Sequence, residues 1–392
     1  MNLEWKTKKL GEVCDVIMGQ SPDGSTYNVH GEGMPLINGP VEFSDDPFGF
    51  SIQSKFTTQP TKLCKKGDLL LCVRGSTTGR MNIAGFDACI GRGVAAIRAK
   101  DYQPWINHFI NWKRYEIYSK GSGATFPNVS SSDISQLQIK IPPLPEQHRI
   151  VRILDEAFAS LATAQANAEK NLENARGVFE GYLQEVFEKR GEGWVEHRKP
   201  LVDLCQLIVD CEHKTAPTQE YGVPSIRTPN IGFGRLLLND VNRVSEETYK
   251  IWTRRAEPQA GDLILAREAP AGNVAVIPEN TRVCLGQRTV LIRPNRDFFD
   301  PPFLAFLLLE PRTQAKLLAH SKGATVQHVN MKDIRALDVG AIPPPKVQQK
   351  IVSKLWDFDG KTQFLKHNYK QKLEKLTELK KTLLYQAFNG EL

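Results

Sequence analysis

One sequence pattern occurs twice in this 392-residue chain, and this internal repeat constrains the fold more than any other feature. The offset between the copies grows from 191 residues, at Leu10 and Leu201, to 201 residues, at Ile141 and Ile342. Because each copy is long enough to bury a core, the repeat predicts two structurally equivalent modules. The matched segments include Gly67-Asp68-Leu69 with Gly261-Asp262-Leu263, Cys89-Ile90-Gly91 with Cys284-Leu285-Gly286, Ile97-Arg98 with Ile292-Arg293, and Ile141-Pro142-Pro143 with Ile342-Pro343-Pro344.

Each copy divides into two parts at a proline-rich segment, residues 142–145 and 343–345. The prolines end the preceding strand and stiffen the chain that leaves it. Before this segment, short β-branched strands, turns and one helical stretch predict a mixed α/β (α+β) module. After it, apolar residues recur in steps of three and four, which is typical of a long helix. The predicted modules are residues 1–144 and 191–344, and the predicted helical segments are residues 145–190 and 345–392.

The two helical segments carry opposite net charges. Residues 145–190 contain eight acidic and six basic side chains, a net charge of −2, whereas residues 346–392 contain ten lysines and five acidic residues, a net charge of +5. Each segment has one narrow apolar stripe, which requires a partner helix. We therefore expect an antiparallel coiled coil between them, because that pairing lets the chain run out along one helix and return along the other. A single long helix packed on a globular core is the alternative.

Composition limits the function classes. No run approaches the roughly 18 apolar residues of a membrane span, and the N-terminal segment lacks the apolar core of a secretory signal, so a cytoplasmic protein without membrane contact is expected. The seven cysteines lie at no zinc-binding spacing, which argues against disulfides and metal sites. A net charge of +7 is compatible with a polyanionic partner. Buried core thiols are expected where cysteines recur at matched positions, Cys14 with Cys205 and Cys89 with Cys284.

Two equivalent modules joined by a pair of long helices have the geometry of a protein that recognises two half-sites. A helix of about 44 residues spans roughly 65 Å, equal to about 19 base pairs of duplex at most. The modules share framework positions and differ in their loops, so an asymmetric, two-part target is expected. A tandem adaptor with two protein-binding modules remains the alternative that composition and periodicity leave open.

The end of each module carries the most specific pattern in the sequence. It consists of a Gly-x-Thr loop, a short strand, the proline-rich segment, a glutamine and the long helix. Its residues are 120–128, 133–134 and 141–147 with Ile150 in the first copy, and 322–330, 333–334 and 342–349 with Ile351 in the second. In this pattern, and over essentially the whole chain, the sequence resembles the specificity subunits of type I restriction-modification systems.

This resemblance implies two target-recognition domains that bind double-stranded DNA at a bipartite site, with the helix pair setting the unspecified gap. It further implies two adenine-N6 methyltransferase subunits docked around this chain, and restriction and translocation subunits recruited for cleavage. The chain itself is then not an enzyme and holds no cofactor, since S-adenosylmethionine, ATP and magnesium belong to the partner subunits. The copies depart from each other where Val347-Gln348 stands opposite Glu146-Gln147, which predicts docking surfaces that are not identical.

One motif supports a rival interpretation, a self-contained adenine-N6 methyltransferase. Asp300-Pro301-Pro302-Phe303 matches the Asp/Asn-Pro-Pro-aromatic loop with which such enzymes hold the target amino group. That loop must follow a buried strand of a doubly wound sheet with a Gly-rich cofactor loop. Here residues 293–299 are polar and residues 304–309 have a helical pattern. We therefore expect Asp300 to be a helix N-cap and Pro301 the first helical residue.

Candidate DNA contacts are polar residues of the predicted loops. Arg and Lys can contact guanine or phosphate, and Asn and Gln can pair with adenine. Four matched loop pairs contain such residues: 19–21 with 213–215, 38 with 227–230, 74–80 with 267–273, and 120–128 with 322–330. In the fourth pair the shared Gly-Ala-Thr suits backbone turning or phosphate contact, whereas residues 126–128 and 326–328 differ and suit sequence discrimination. The candidates are Gln20, Ser21, Asn38, Arg74, Ser76, Thr77, Thr78, Arg80, Arg92, Lys120, Ser122, Thr125 and Asn128 in the first copy, and His213, Lys214, Arg227, Thr228, Asn230, Arg267, Gln287, Arg288, Lys322, Thr325, Gln327 and His328 in the second.

Overall fold

The chain forms two compact units in a computed structural model, which describes residues 5–121, 128–191, 193–319 and 327–392. Unit 1 comprises residues 1–168 together with 371–392, and unit 2 comprises residues 169–370. Each unit therefore contains one predicted module and part of each predicted helical segment. Four candidate DNA contacts lie outside the described residues: Ser122, Thr125, Lys322 and Thr325.

Unit 1 is a mixed α/β unit, as predicted. Its strands form a two-stranded sheet β1-β11, a four-stranded sheet β2-β10-β7-β8 and a five-stranded sheet β3-β5-β4-β9-β6, in which β4 and β9 are parallel. The strands are β1 (Lys6–Lys9), β2 (Cys14–Met18), β3 (Tyr27–Asn28), β4 (Met34–Ile37), β5 (Phe56–Thr57), β6 (Leu63–Cys64), β7 (Leu69–Cys72), β8 (Met81–Ile83), β9 (Ala88–Ile90), β10 (Val94–Ala99) and β11 (Gln138–Ile141). The helices are α1 (Leu10–Val13), α2 (Gln103–Lys120), α3 (Ser131–Ser135) and the start of α4 (Leu144–Lys189), with 3₁₀ turns at Gly24–Thr26 and Pro40–Glu42.

Unit 2 repeats the central sheet of unit 1 in the order β13-β20-β17-β18 and adds β15 at its edge. The pair β12-β21 and the three-stranded sheet β16-β14-β19 complete it. The strands are β12 (Val195–Pro200), β13 (Cys205–Asp210), β14 (Val223–Ile226), β15 (Gly234–Arg235), β16 (Arg243–Val244), β17 (Leu263–Ala266), β18 (Val274–Val276), β19 (Cys284–Leu285), β20 (Thr289–Pro294) and β21 (Asp338–Ile342). The helices are α5 (Glu246–Trp252), α6 (Pro301–Leu309), α7 (Pro311–Leu318), α8 (Met331–Ala336) and the start of α9 (Pro345–Asn389), with 3₁₀ turns at Leu201–Leu204 and Thr228–Asn230.

The predicted helical segments correspond to α4, of 46 residues, and α9, of 45 residues. In unit 1 the start of α4 and the end of α9 share one apolar core, in which Ile150 and Leu154 lie with Phe388. In unit 2 the end of α4 and the start of α9 share another core, in which Leu183 lies with Leu355. Each unit thus packs opposite ends of the two long helices together.

An ion pair explains why Asp and Arg recur at matched positions of the repeat. In unit 1 the buried Asp68 carboxylate accepts hydrogen bonds of 2.8 and 2.7 Å from Nε and Nη2 of Arg98. In unit 2 the buried Asp262 accepts bonds of the same lengths from Arg293. These pairs join the start of β7 to β10 and the start of β17 to β20. Their role is therefore to hold the central sheet together.

A buried glutamine at the start of each long helix explains the recurrence of Gln after the proline-rich segment. Gln147 Nε2 donates to the Pro142 carbonyl at 2.9 Å. Gln348 Nε2 donates to the carbonyls of Pro343 and Phe298 at 2.7 and 2.6 Å. In unit 2 the same side chain also accepts from the backbone N–H of Asp300 at 2.8 Å, through its Oε1. Both glutamines therefore fasten a long helix to the strand that precedes it.

The Asp300-Pro301-Pro302-Phe303 motif is a helix start, as predicted. Asp300 is the N-cap of α6, and the helix begins at Pro301. The preceding strand β20 ends at Pro294, so the motif does not lie at a strand end. Phe303 is fully buried in the core of unit 2. This placement removes the sequence observation that favoured a self-contained methyltransferase.

The matched cysteines are thiols, and three of the four are buried: Cys14, Cys89 and Cys284. The fourth, Cys205, is half-buried. Burial raises the pKa of Cys14, Cys205 and Cys284 to about 12. Such thiols remain protonated at neutral pH, so they are poor nucleophiles.

Candidate nucleic-acid interface

Most of the predicted loops of unit 1 come together at one end of the central sheet. The N–H of Gly19 bonds to the Val94 carbonyl, and the N–H of Val73 bonds to the Gly93 carbonyl, each at 2.9 Å. The N–H of Gly91 bonds to the Ile37 carbonyl at 2.9 Å. We call this surface the loop face of unit 1; it comprises residues 19–21, 38–39, 74–80, 91–93 and 128.

Ser21, Asn38 and Arg92 meet on this face. The Ser21 hydroxyl accepts a hydrogen bond from the Arg92 backbone N–H at 3.1 Å and donates to Asn38 Oδ1 at 3.4 Å. A Cβ at position 91 would lie 1.8 Å from Asn38 Oδ1, so a side chain there would displace the Asn38 amide. The close approach therefore fixes Asn38 between two loops.

Arg74 and Asn128 form a second polar pair on the loop face of unit 1. Their backbones form an antiparallel β-bridge, so the two side chains leave the surface next to each other. Both residues are exposed. The Arg74 guanidinium makes no hydrogen bond or ion pair with any described residue, and the same holds for the Arg92 side chain. Both cations are available to an anion or to a base edge.

In unit 2 the corresponding surface is a network of paired charges centred on Arg267. The Arg267 side chain is 13% exposed, and its Nη1 donates to Asp210 Oδ2 at 2.8 Å. Its Nε donates to the Val329 carbonyl at 3.0 Å, and its Nη2 lies 2.9 Å from His328 Nε2. Because a guanidinium can only donate, Nε2 of His328 accepts, and the proton of a neutral imidazole is on Nδ1.

The network continues from His328 to Glu268 and Arg288. His328 Nδ1 lies 2.9 Å from Glu268 Oε1, so it donates to that carboxylate. The other carboxylate oxygen is 2.8 Å from Arg288 Nε. His213 lies 3.2 Å from Asp210 and accepts a 3.2 Å bond from Gln287 at its carbonyl. Together these side chains line a cleft of about 280 Å³ formed by His213, Arg267, Glu268, Gln287, Arg288 and His328.

The structure corrects the register of one predicted loop pair. Glu268 forms the β-bridge with His328 that Arg74 forms with Asn128, so Arg74 corresponds to Glu268. Val73 then corresponds to Arg267, and the pairing of residues 74–80 with 267–273 is one residue out of register. The offset of 194 between Gly67 and Gly261 was the signal in the sequence that gives the correct match.

Sequence reasoning missed the two acidic residues of unit 2, Asp210 and Glu268. The predicted contacts were chosen among side chains that can contact DNA directly, chiefly basic and amide ones. The carboxylates instead hold Arg267, Arg288 and His328 in place. No pattern in the sequence reports this, because the partners lie up to 60 residues apart.

The remaining candidates divide by exposure. Thr78 and Thr228 are buried, at 7% and 8% exposed, and we leave them out of the interface. Arg80 is turned toward Asp45, at 3.4 Å, and Lys120 pairs with Glu116 at 3.0 Å. Asn230 accepts from the Arg227 backbone N–H at 3.0 Å. The candidate residues exposed on the surface of their loops are Gln20, Ser76, Lys214, Arg227 and Gln327. Thr77 is half-buried.

The described part of the chain contains no group of three or more His, Cys, Asp or Glu placed to hold a metal ion. No helix in the described ranges is long and apolar enough to cross a membrane.

Comparison with known families decides what these two units are. A family model described as the type I restriction modification DNA specificity domain matches residues 2–174 and 212–375. The chain belongs to this family. The two matched regions fall on the two copies of the repeat, and the resemblance in residues 120–150 and 322–351 is thereby confirmed.

Specificity subunits are among the similar proteins. The MjaX specificity subunit of Methanocaldococcus jannaschii is 32% identical over 178 residues, which are 44% of this chain and 41% of that protein. The EcoBI specificity subunit of Escherichia coli is 22% identical over 70% of this chain and 63% of its own length. This chain thus spans less than two thirds of the length of the MjaX and EcoBI specificity subunits. The MjaVIII specificity subunit of M. jannaschii is 21% identical over 99% of this chain and 93% of that protein.

Two solved structures share the fold. One comes from a study of complex assembly and conformational transition of the type I R-M system, with a TM-score of 0.78, 19% identity and complete coverage of both chains. The other is the HsdS subunit of Thermoanaerobacter tengcongensis, with a TM-score of 0.58 and 21% identity over 99% of this chain and 97% of that one. Both likenesses show a shared fold.

Proposed function

We propose that this chain is the DNA-recognition subunit of a type I restriction-modification complex and that it recognises an asymmetric bipartite target. Unit 1 contacts one half-site and unit 2 contacts the other. The observation that carries this proposal is the pair of loop faces, which share a framework but present different side chains. Arg74 and Asn128 stand in unit 1 where Glu268 and His328 stand in unit 2.

These side chains suit different bases. An exposed arginine can donate two hydrogen bonds to guanine, and an asparagine can pair with adenine, so Arg74 and Asn128 suit purine contacts in the major groove. In unit 2 the Glu268 carboxylate can still accept a hydrogen bond from the cytosine amino group beside its bonds to His328 and Arg288. Different half-sites follow from the different donor and acceptor sets.

We further propose that α4 and α9 form an antiparallel coiled coil that sets the gap between the half-sites. Two observations support it: each unit packs opposite ends of the two helices together, and the segments carry net charges of −2 and +5. Removing one heptad from both helices is then expected to shorten the preferred gap and leave both half-sites unchanged. An unchanged gap in a methylation assay of the reconstituted complex would contradict this role.

The chain is proposed to act as a scaffold without catalysing a reaction. Two adenine-N6 methyltransferase subunits and the restriction and translocation subunits would dock on it, and S-adenosylmethionine, ATP and magnesium would bind to those partners. The two docking surfaces are expected to differ, because Glu146 holds Arg149 in a 2.7 Å ion pair whereas the matching Val347 lines an apolar cleft of about 430 Å³ in unit 2.

Sequencing of N6-methyladenine in cells that carry the chain with its methyltransferase subunits tests the proposal. The expected result is one methylated motif made of two unlike specific parts, separated by unspecified bases. A short continuous motif, or methylation that is independent of this chain, would overturn it.

A further inference from the structure

A cleft of about 250 Å³ in unit 1 brings basic side chains together with the side-chain amide of Asn111. It lies between α2 and the end of α9. Its lining residues are Asn111, Trp112, Arg114 and Tyr115 from α2, and Thr377, Lys380, Lys381 and Leu384 from α9.

Two cations in this cleft have no acidic partner. Lys380 is exposed, and its Nζ lies 4.8 Å from the centroid of the Phe158 ring. Burial and then the positive charge of Arg114 lower the pKa of Lys380. The Arg114 guanidinium contacts only the Tyr115 hydroxyl, at 3.1 Å, and the face of its ring. Among the described residues neither cation forms an ion pair, and the nearby carboxylate of Asp46 offsets the positive charge of the cleft only in part.

Asn111 supplies a neutral hydrogen-bonding group to the same cleft. It is 6% exposed and lines the cleft. Its side-chain amide makes no hydrogen bond with any described residue. An acceptor that enters the cleft would satisfy it.

The equivalent place in unit 2 keeps the arginine, in an ion pair, and lacks the lysines and the asparagine. The register follows from Phe388, which contacts Trp105 as Phe187 contacts Phe303. Lys380 then corresponds to Phe179, which is 4% exposed in an apolar core. By the same register Lys381 corresponds to Glu180, Asn111 to Leu309, and Arg114 to Arg312, which pairs with Glu188 at 2.5 Å.

We propose that this cleft binds a backbone phosphate of the DNA that flanks the half-site of unit 1, with Arg114, Lys380 and Asn111 as its donors. The occupant is taken to be DNA because the cleft adjoins the loop face: a Cβ on Gly79 of the loop 74–80 would lie 3.3 Å from the Arg114 carbonyl. The inference rests on the proposed function. The matching described residues of unit 2 form no such phosphate site. The complex therefore contacts the DNA that flanks its two half-sites unequally.

Salt-dependent duplex binding by the complex with its methyltransferase subunits tests this site. Lys380→Met is expected to weaken binding to specific and non-specific duplex by the same factor, about tenfold at low salt, and to reduce the slope of log affinity against log salt by about one. Lys380→Arg restores both quantities. Arg312→Met removes the arginine of unit 2 that matches Arg114 and leaves the slope unchanged, and the methylated motif is the same in all variants.

Three results separate the possible failures. An unchanged affinity and slope in Lys380→Met overturns the phosphate site. Weaker assembly of Lys380→Met with the methyltransferase subunits, with unchanged duplex binding by the assembled complex, also overturns it and assigns the cleft to a carboxylate of a partner protein. Wild-type complex without salt-dependent duplex binding overturns the proposed function itself.

Discussion

The loop faces of the two units stand on the same framework and differ in nearly every side chain that reaches the surface. Unit 2 holds Arg267 in a network with Asp210 and His328, whereas the matching position in unit 1 is the buried, apolar Val73. Unit 1 instead presents Arg74 with no partner among the described residues. The comparison teaches that the central sheet and its Asp–Arg ion pairs carry the fold, so the side chains of the loop faces can differ without changing it.

The largest expected effect is the loss of stability when the Asp68–Arg98 or the Asp262–Arg293 ion pair is broken. The loss should be equal in the two units. Asp68→Asn and Asp262→Asn each remove the charge that holds a bidentate arginine at 2.7 to 2.8 Å. Each is expected to lower the free energy of unfolding of its own unit by about 3 kcal/mol. Chemical denaturation curves measure this loss. Glu246→Gln, which breaks the exposed pair with Arg282, is the control and should leave the curve unchanged. A loss below about 1 kcal/mol in only one unit would show that the two ion pairs are not equally important.

A smaller and unequal effect is expected at the start of the long helices. Gln348→Ala loses three buried hydrogen bonds, to Pro343, Phe298 and Asp300, and should cost about 2 kcal/mol. Gln147→Ala loses one, to Pro142, and should cost about 1 kcal/mol. The same denaturation experiment compares them. Equal costs would show that the extra contacts of Gln348 contribute nothing to stability.

Arg74→Gln tests the difference between the loop faces directly. Because Arg74 is exposed and unpaired among the described residues, its removal should leave stability unchanged and weaken binding of the target duplex by about 1 to 2 kcal/mol. Duplexes altered in one half-site at a time locate the effect. The half-site of unit 1 should lose its contribution and that of unit 2 should keep it. An equal loss for both half-sites would indicate a phosphate contact instead.

The smallest effect is expected at Thr228. Its side chain is buried at 8% exposure, so Thr228→Val should change neither the methylated motif nor the duplex affinity. A changed motif, detected by methylation sequencing, would place this residue back in the interface.

The sequence predicted those parts of the fold that depend on local or repeated signals. The repeat predicts two α/β units, the prolines at 142–145 and 343–345 mark where the long helices begin, and Pro301 marks the start of α6. The sequence did not predict the parallel pairing of β4 with β9 or the small sheets, because several of their strands have only two to four residues and carry little periodicity.

The candidate site was predictable in position and not in chemistry. Loops matched between the copies do converge, as Ser21, Asn38 and Arg92 show. The network around Glu268 was not predictable, because its partner His328 is 60 residues away and a carboxylate is not expected on a surface that approaches DNA. The sequence also did not predict the unit boundary near residue 168. The helix α4 is continuous in sequence, and its two halves differ only in the core that each one packs against.

Exchange of the distinguishing pair between the loop faces tests the central claim most directly. In Glu268→Arg/His328→Asn, unit 2 carries the residues of unit 1, and N6-methyladenine sequencing of cells that express the variant with its methyltransferase subunits reports the motif. The account predicts that one half of the split motif changes or is lost while the other half and the gap stay the same. An unchanged motif in a folded, assembled variant, or a change in both halves, would contradict it.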